Sequence, residues 1–173
     1  MIIEYCKKSK WVKTPTRANP SDAGLDVYAN IASTVGVPPA GNKLIPTGLR
    51  FGIPHGYMLQ VCNRSSMGAK KSLVVGAHII DSGYDGEVFI DLHNIGNESQ
   101  EVHPGDKLAQ LVMVPVVHFR LVENDSGALY EKETIAISSR DSGALGSTDT
   151  GAPNAIDARP SKGEHILGNI SGF

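Results

Sequence analysis

Residues 43–62 read KLIPTGLRFGIPHGYMLQVC. Three apolar runs stand in this stretch: Lys43-Leu-Ile-Pro46, Leu49-Arg-Phe-Gly-Ile53 and Tyr57-Met-Leu-Gln-Val-Cys62. Thr-Gly and Pro-His-Gly separate them. Each run is too short for a stable helix and is bounded by residues that turn the chain, so each reads as a β-strand. The pattern continues in Val88-Phe-Ile-Asp-Leu-His93 and Leu108-Ala-Gln-Leu-Val-Met-Val114, with turn doublets at Pro38-Pro39 and Pro104-Gly105. Many short strands, punctuated at roughly 8–12-residue spacing, predict an all-β jelly-roll barrel or sandwich. No stretch carries apolar residues at convincing helical spacing. The polar segment 62–71, CNRSSMGAKK, predicts at most a short helix.

The chain has 173 residues and 40% hydrophobic content, enough for one packed domain with a tail. Its formal charge of −2 offers no global basic field, so stable nucleic-acid binding is not expected. No apolar run approaches ~20 residues, so no membrane span is expected. The start MIIEYCKKSKW has no apolar signal core, and a cytoplasmic location is expected. Cys6 and Cys62 have no paired spacing, which argues against a disulfide framework or a zinc site. Residues 1–137 are expected to form the domain. Residues 138–150, which include RDSGALGSTDT, are expected to form a small, polar, glycine-rich arm without core residues. Residues 151–173 are a tail whose Ile166, Leu167, Ile170 and Phe173 could dock it.

Five constellations could carry chemistry. Arg140 followed by Gly143-Ala-Leu-Gly-Ser-Thr148 offers converging amides, hydroxyls and a fixed positive charge, as a polyphosphate requires; the plain alternative is a linker. Arg64 beside Ser65 and Ser66, after a strand, could grip a second phosphate, or could be a capped helix start with a surface arginine. Ile79-Ile-Asp-Ser-Gly-Tyr-Asp-Gly-Glu-Val88 predicts a β-hairpin with acidic residues at its bend, and Tyr84 is an unusual aromatic at a polar tip. Gln110 lies among apolar neighbours and needs a partner. Asp26, in Ala23-Gly-Leu-Asp-Val-Tyr-Ala29, is costly to bury alone; an arginine partner, a metal or an ordered water would satisfy it.

Taken in order, AGLDVYA, NRSSMG, GAHIIDSGYDGE, GDKLAQLVM and RDSGALGST resemble the five motifs of the trimeric dUTPases. The resemblance spans roughly residues 14–149. It implies a β jelly roll that forms a homotrimer, with active sites at subunit junctions and a flexible C-terminal arm. It implies hydrolysis of dUTP to dUMP and pyrophosphate with Mg²⁺. By resemblance Asp81 is the carboxylate that orients and deprotonates the attacking water. Arg64, Ser65, Ser66 and Gln110 match phosphate contacts, and Arg140, Leu145, Gly146, Ser147 and Thr148 match the arm. Tyr84 matches the ring that excludes a 2′-hydroxyl, and Ile79 and Phe89 match positions that offer backbone groups to uracil. Asp26 matches a residue that acts on the metal through water.

The chain departs from the family pattern in places. Leu145 stands where Phe is usual, Asp85 where arginine is common, Gly83 where an acid is frequent, and His78, at the edge of the base pocket, where Gly is frequent. The 23 residues after Thr150 exceed the usual arm. The nearest alternative is a dCTP deaminase of the same fold, whose base in the strand after the hairpin would correspond to Asp91. Another is a dUTPase with an added role in binding a regulatory protein.

Overall fold

The computed structural model of the protein describes residues 1–127. The expected boundaries at 137/138 and 150/151 therefore lie outside the described residues. The chain divides into two compact units, Met1–Arg120 and Leu121–Phe173. Of the second, residues 121–127 are described; there the Asn124 side-chain oxygen accepts the Ser126 amide and hydroxyl at 2.9 and 2.7 Å.

In the first unit, the order is β1 (Glu4–Lys7), β2 (Leu25–Tyr28), β3 (Val35–Val37), β4 (Asn42–Pro46), β5 (Leu49–Gly52), β6 (Tyr57–Cys62), α1 (Ser65–Lys71), β7 (Leu73–Val75), β8 (Ile79–Ile80), β9 (Phe89–Asn94), β10 (Gln100–Val102) and β11 (Lys107–Pro115). All pairings are antiparallel. Two larger sheets, ordered β2-β11-β6-β8 and β4-β9-β7, stand beside two two-stranded sheets, β1-β5 and β10-β3. This is the all-β jelly roll expected from the strand-and-turn pattern. Among the described residues no helix is long and apolar enough to cross a membrane.

Alternation drives the layering. In β9 the buried residues are Ile90, Leu92 and Asn94, while Asp91 and His93 face outward. Burial of such aliphatic side chains contributes about 1.5–3 kcal/mol each. Val27, Ile45, Leu49, Leu73, Leu108 and Leu111 complete the centre of the core. Among the described residues two polar side chains are also buried, Thr47 and Asn94. Both are satisfied: the Thr47 hydroxyl donates to the Val88 carbonyl at 2.7 Å, and the Asn94 amide donates to the carbonyls of Val37 and Glu98.

One irregularity positions function. The pairing of β11 with β2 slips between Lys107 and Ala109, so Leu108 and Ala109 are both buried. In a regular strand Lys107 and Gln110 would face opposite sides. The bulge reverses that phase, and both come to the face that carries Asp26.

Candidate active site

Residues 79–89 do not form the expected hairpin. Ile79 and Ile80 pair with Gln60 and Leu59 of β6, whereas Phe89 pairs with Pro46 of β4. The two arms of the bend thus belong to different sheets. Strand β9 pairs along its length with β4 and β7, and Ile79-Ile80 extends the other sheet at the free side of β6. The bend itself is as the sequence reads: the Tyr84 amide donates to the Asp81 carbonyl at 3.3 Å, and Gly83 takes φ +86°. That angle belongs to the third position of a type II turn and favours glycine. β8 is an edge strand, and β7 pairs with β9 only at Leu92–Asn94, short of Phe89. Between them lies a pocket of about 230 Å³ lined by Ile79, Ile80, Asp81, Tyr84, Glu87, Val88 and Phe89. Among the described residues, its walls therefore include strand edges without a ladder partner, which can pair with the edge of a planar heterocycle. The Asp81 carboxylate is exposed at this pocket.

A second cluster sits where β2, β11 and the start of α1 meet. Asp26 is held between two cations: Arg64 Nε lies 2.8 Å from one carboxylate oxygen and Lys107 Nζ 2.7 Å from the other. The Asp26 side chain is only 14% exposed, so this pair of contacts answers its burial cost. The hydrogen bond and charge of Asp26 hold the Lys107 ammonium above its usual pKa. Arg64 Nη1 also donates to the Ser66 hydroxyl at 3.3 Å. Gln110 pairs with Asp26 across the strands, and its amide donates to the Asn63 carbonyl at 3.1 Å. Arg64 is the residue before α1 and makes no side-chain cap, so the expected capped start is not what holds it. One carboxylate against two cations leaves a net positive cluster, beside hydroxyls and the amides of a helix start. Such a cluster attracts an anion.

Other sequence-selected residues fall outside these groups. The His78 ring bonds the Val61 carbonyl at 2.9 Å and does not line the pocket. Asp85 pairs with Arg50 on β5, so its charge is answered locally. Asp91 accepts from Asn42 at 2.9 Å and contacts His93 at 2.8 Å, and it does not line the pocket either. Ser65 is exposed as the first residue of α1. Arg140, Leu145, Gly146, Ser147 and Thr148 lie outside the described residues. Among the described residues no group of three or more His, Cys, Asp or Glu side chains is arranged to hold a metal ion.

Lys107 was not selected from the sequence. No alternation marks the site: Leu111-Val-Met-Val114 is apolar at every position, so the adjacent pair Leu108-Ala109 does not stand out as a bulge.

The family model for dUTPase matches residues 10–148. The chain is similar to the deoxyuridine 5′-triphosphate nucleotidohydrolase of Chlamydia muridarum, with 36% identity over 121 residues, covering 69% of this chain and 83% of the relative. The enzyme of that name from Gloeobacter violaceus is 38% identical over 122 residues, with the same coverage. Among solved structures, a variant of the Staphylococcus bacteriophage 80alpha dUTPase with dUpNHpp has a TM-score of 0.71 at 25% identity, covering 85% of this chain and 98% of that one. A variant of the dUTPase from phage phi11 of S. aureus, solved with attention to a structural Mg(II) ion, has a TM-score of 0.66 at 26% identity, covering 72% and 97%.

Proposed function

The chain belongs to the dUTPase family and hydrolyses dUTP, and from that premise we propose that Asp81 is its catalytic base. The observation that carries this reading is the pocket itself: an exposed carboxylate beside two unpaired strand edges and an aromatic ring. Uracil presents N3–H as a donor and O4 as an acceptor, whereas cytosine reverses both. Backbone groups at Ile79 and Phe89 would pair with uracil and leave a mispaired polar group against cytosine. Each mispairing costs about 1–3 kcal/mol. Tyr84, which lines the same pocket, would occupy the space of a ribose 2′-hydroxyl.

The triphosphate belongs at the Asp26–Arg64–Lys107 cluster. Arg64 and Lys107 supply charge, while Ser65, Ser66 and Gln110 supply donors. Ser65, exposed at the head of α1, would donate to the oxygen between the α- and β-phosphates. Charge develops there as pyrophosphate leaves, so this donor matters most in the transition state. Asp81, ionised, would hold water in line with the α-phosphorus and accept its proton. Arg140, Ser147 and Thr148 would close on the γ-phosphate and Leu145 on the base. We assign these arm residues to a neighbouring copy, in a homotrimer with shared sites.

The residues described do not fit a resident magnesium ion. Each oxygen of Asp26 already carries a cation, and among the described residues no group of three or more His, Cys, Asp or Glu side chains is arranged to hold a metal. Magnesium takes most of its ligands from phosphate and water in sites of this kind. In this reading it arrives with the triphosphate, and Asp26 would reach it only through water.

The deaminase alternative is disfavoured by Asp91, whose carboxylate oxygens are engaged by Asn42 and His93.

The test is pyrophosphate release with dUTP, dCTP, dTTP and UTP, run on the wild type and Asp81→Asn. The wild type is expected to turn over dUTP alone. Asp81→Asn is expected to bind a non-hydrolysable dUTP analogue while losing turnover by about 10²–10⁴-fold, the range of a positioned general base. Full turnover by Asp81→Asn, or ammonia released from dCTP, would overturn the reading.

A further inference from the structure

Glu87 does more in this fold than its place on a bend requires. Its side chain is only 15% exposed. One carboxylate oxygen accepts the Gly48 amide at 2.9 Å, and the other lies 3.2 Å from Lys8 Nζ. The main-chain carbonyl of the same residue accepts the Tyr84 hydroxyl at 2.9 Å. The next residue continues the anchorage: the Val88 amide donates to the Leu49 carbonyl at 2.8 Å, and its carbonyl receives both the amide and the hydroxyl of Thr47. Glu87 is therefore fastened through its side chain to the turn between β4 and β5, and it offers its carbonyl to Tyr84 from that fixed point.

Tyr84 needs such a point. Its side chain is 47% exposed, so packing alone holds it weakly. Gly86 lets the ring fold back, because a Cβ there would collide with the phenol. The hydroxyl then meets a carbonyl whose direction the Glu87 carboxylate fixes.

We propose that Glu87 is a positioning residue for sugar discrimination: by bonding the Gly48 amide it fixes the carbonyl that holds the Tyr84 ring against the sugar. The inference rests on the reading of Tyr84 given above and extends it to a residue that does not itself touch the sugar. The uncharged amide oxygen of glutamine can accept the Gly48 N–H, so the acceptor and not the charge is the working feature. The partner Lys8 is 72% exposed, and its ion pair contributes little.

The experiment compares kcat/KM for dUTP and UTP in the full-length protein. Glu87→Ala is expected to lower the dUTP-over-UTP ratio about tenfold, the equivalent of one hydrogen bond, mainly through a lower KM for UTP. Glu87→Gln is expected to retain the ratio within about twofold, since it keeps the acceptor. Tyr84→Phe, which removes only the hydroxyl, is expected to lower the ratio as Glu87→Ala does. Combining the two substitutions should add nothing, because both remove one linkage. An unchanged ratio in Glu87→Ala, an equal loss in Glu87→Gln, or full additivity in the double variant would overturn the proposal. If Glu87→Ala does not fold, Tyr84→Phe decides, and an unchanged ratio there overturns it. A wild-type protein that fails to prefer dUTP over UTP would instead overturn the reading of Tyr84 on which the inference rests.

Discussion

Asp91 shows how strongly its neighbours decide what a single carboxylate can do. Burial pushes its carboxyl pKa up, but hydrogen bonds from Asn42 and His93 outweigh this and hold it below the ordinary value of 3.8. A carboxyl depressed in the folded state stabilises the fold above its unfolded pKa, and that contribution fades as pH falls through the folded value. Urea midpoints measured from about pH 6 down to about pH 2 should therefore fall more steeply for the wild type than for Asp91→Asn once pH drops below about 4. Parallel curves would show that the contacts to Asn42 and His93 do not matter to stability. At this scale the sequence was legible wherever one residue's need was plain. Asp26, too costly to leave unpaired in a strand, has the arginine partner that its burial called for. Lys107 was hidden because a bulge, invisible to simple alternation, turns it toward Asp26.

Strands were readable where they are both apolar and long enough; β1, as long as β5 but fully exposed, carries no apolar run. The five apolar runs bounded by turn residues correspond to β4, β5, β6, β9 and β11, of four to nine residues. β3, β7, β8 and β10 have two or three residues each. So few residues show no period, and a partner strand defines them instead. The bend at 81–84 follows from local chemistry, since Gly83 meets its positive φ. The partners of its two arms do not, because strand pairing is a non-local choice. β9 holds two partners and one wall of the pocket in place. It lies between β4 and β7, and Phe89 at its start borders the proposed base pocket. Leu92 at its centre is fully buried. Leu92→Ala is expected to cost about 2–5 kcal/mol in urea unfolding, the range for a large core truncation. A loss under about 1 kcal/mol would mean that the core relaxes around β9 and that this strand does not set the pocket wall.

One copy of the chain leaves apolar surface that a solitary molecule rarely keeps: Ile79 is 62%, Leu44 60% and Phe89 41% exposed. Leu44 and Phe89 project from the same outward face of the β4-β9-β7 sheet, since each lies opposite a residue of that face in the register. No reading of one chain's periodicity could reveal what covers such a face, and the shared trimer came only from resemblance. The proposed arrangement has a consequence that separates it from three independent active sites. If Asp81 and the arm come from different copies, two inactive variants can repair each other. Asp81→Asn keeps its arm, and a chain ending at residue 137 keeps Asp81. Co-expressed in equal amounts and assembled at random, they place an intact Asp81 beside an intact arm in about a quarter of sites in a closed ring. Pyrophosphate release from dUTP should recover to about that fraction of wild type, although each variant alone stays near background. Recovery should follow the mixing ratio and be greatest at equal amounts. A mixture no more active than its parts would place Asp81 and its arm in the same copy, and the shared site would have to be abandoned.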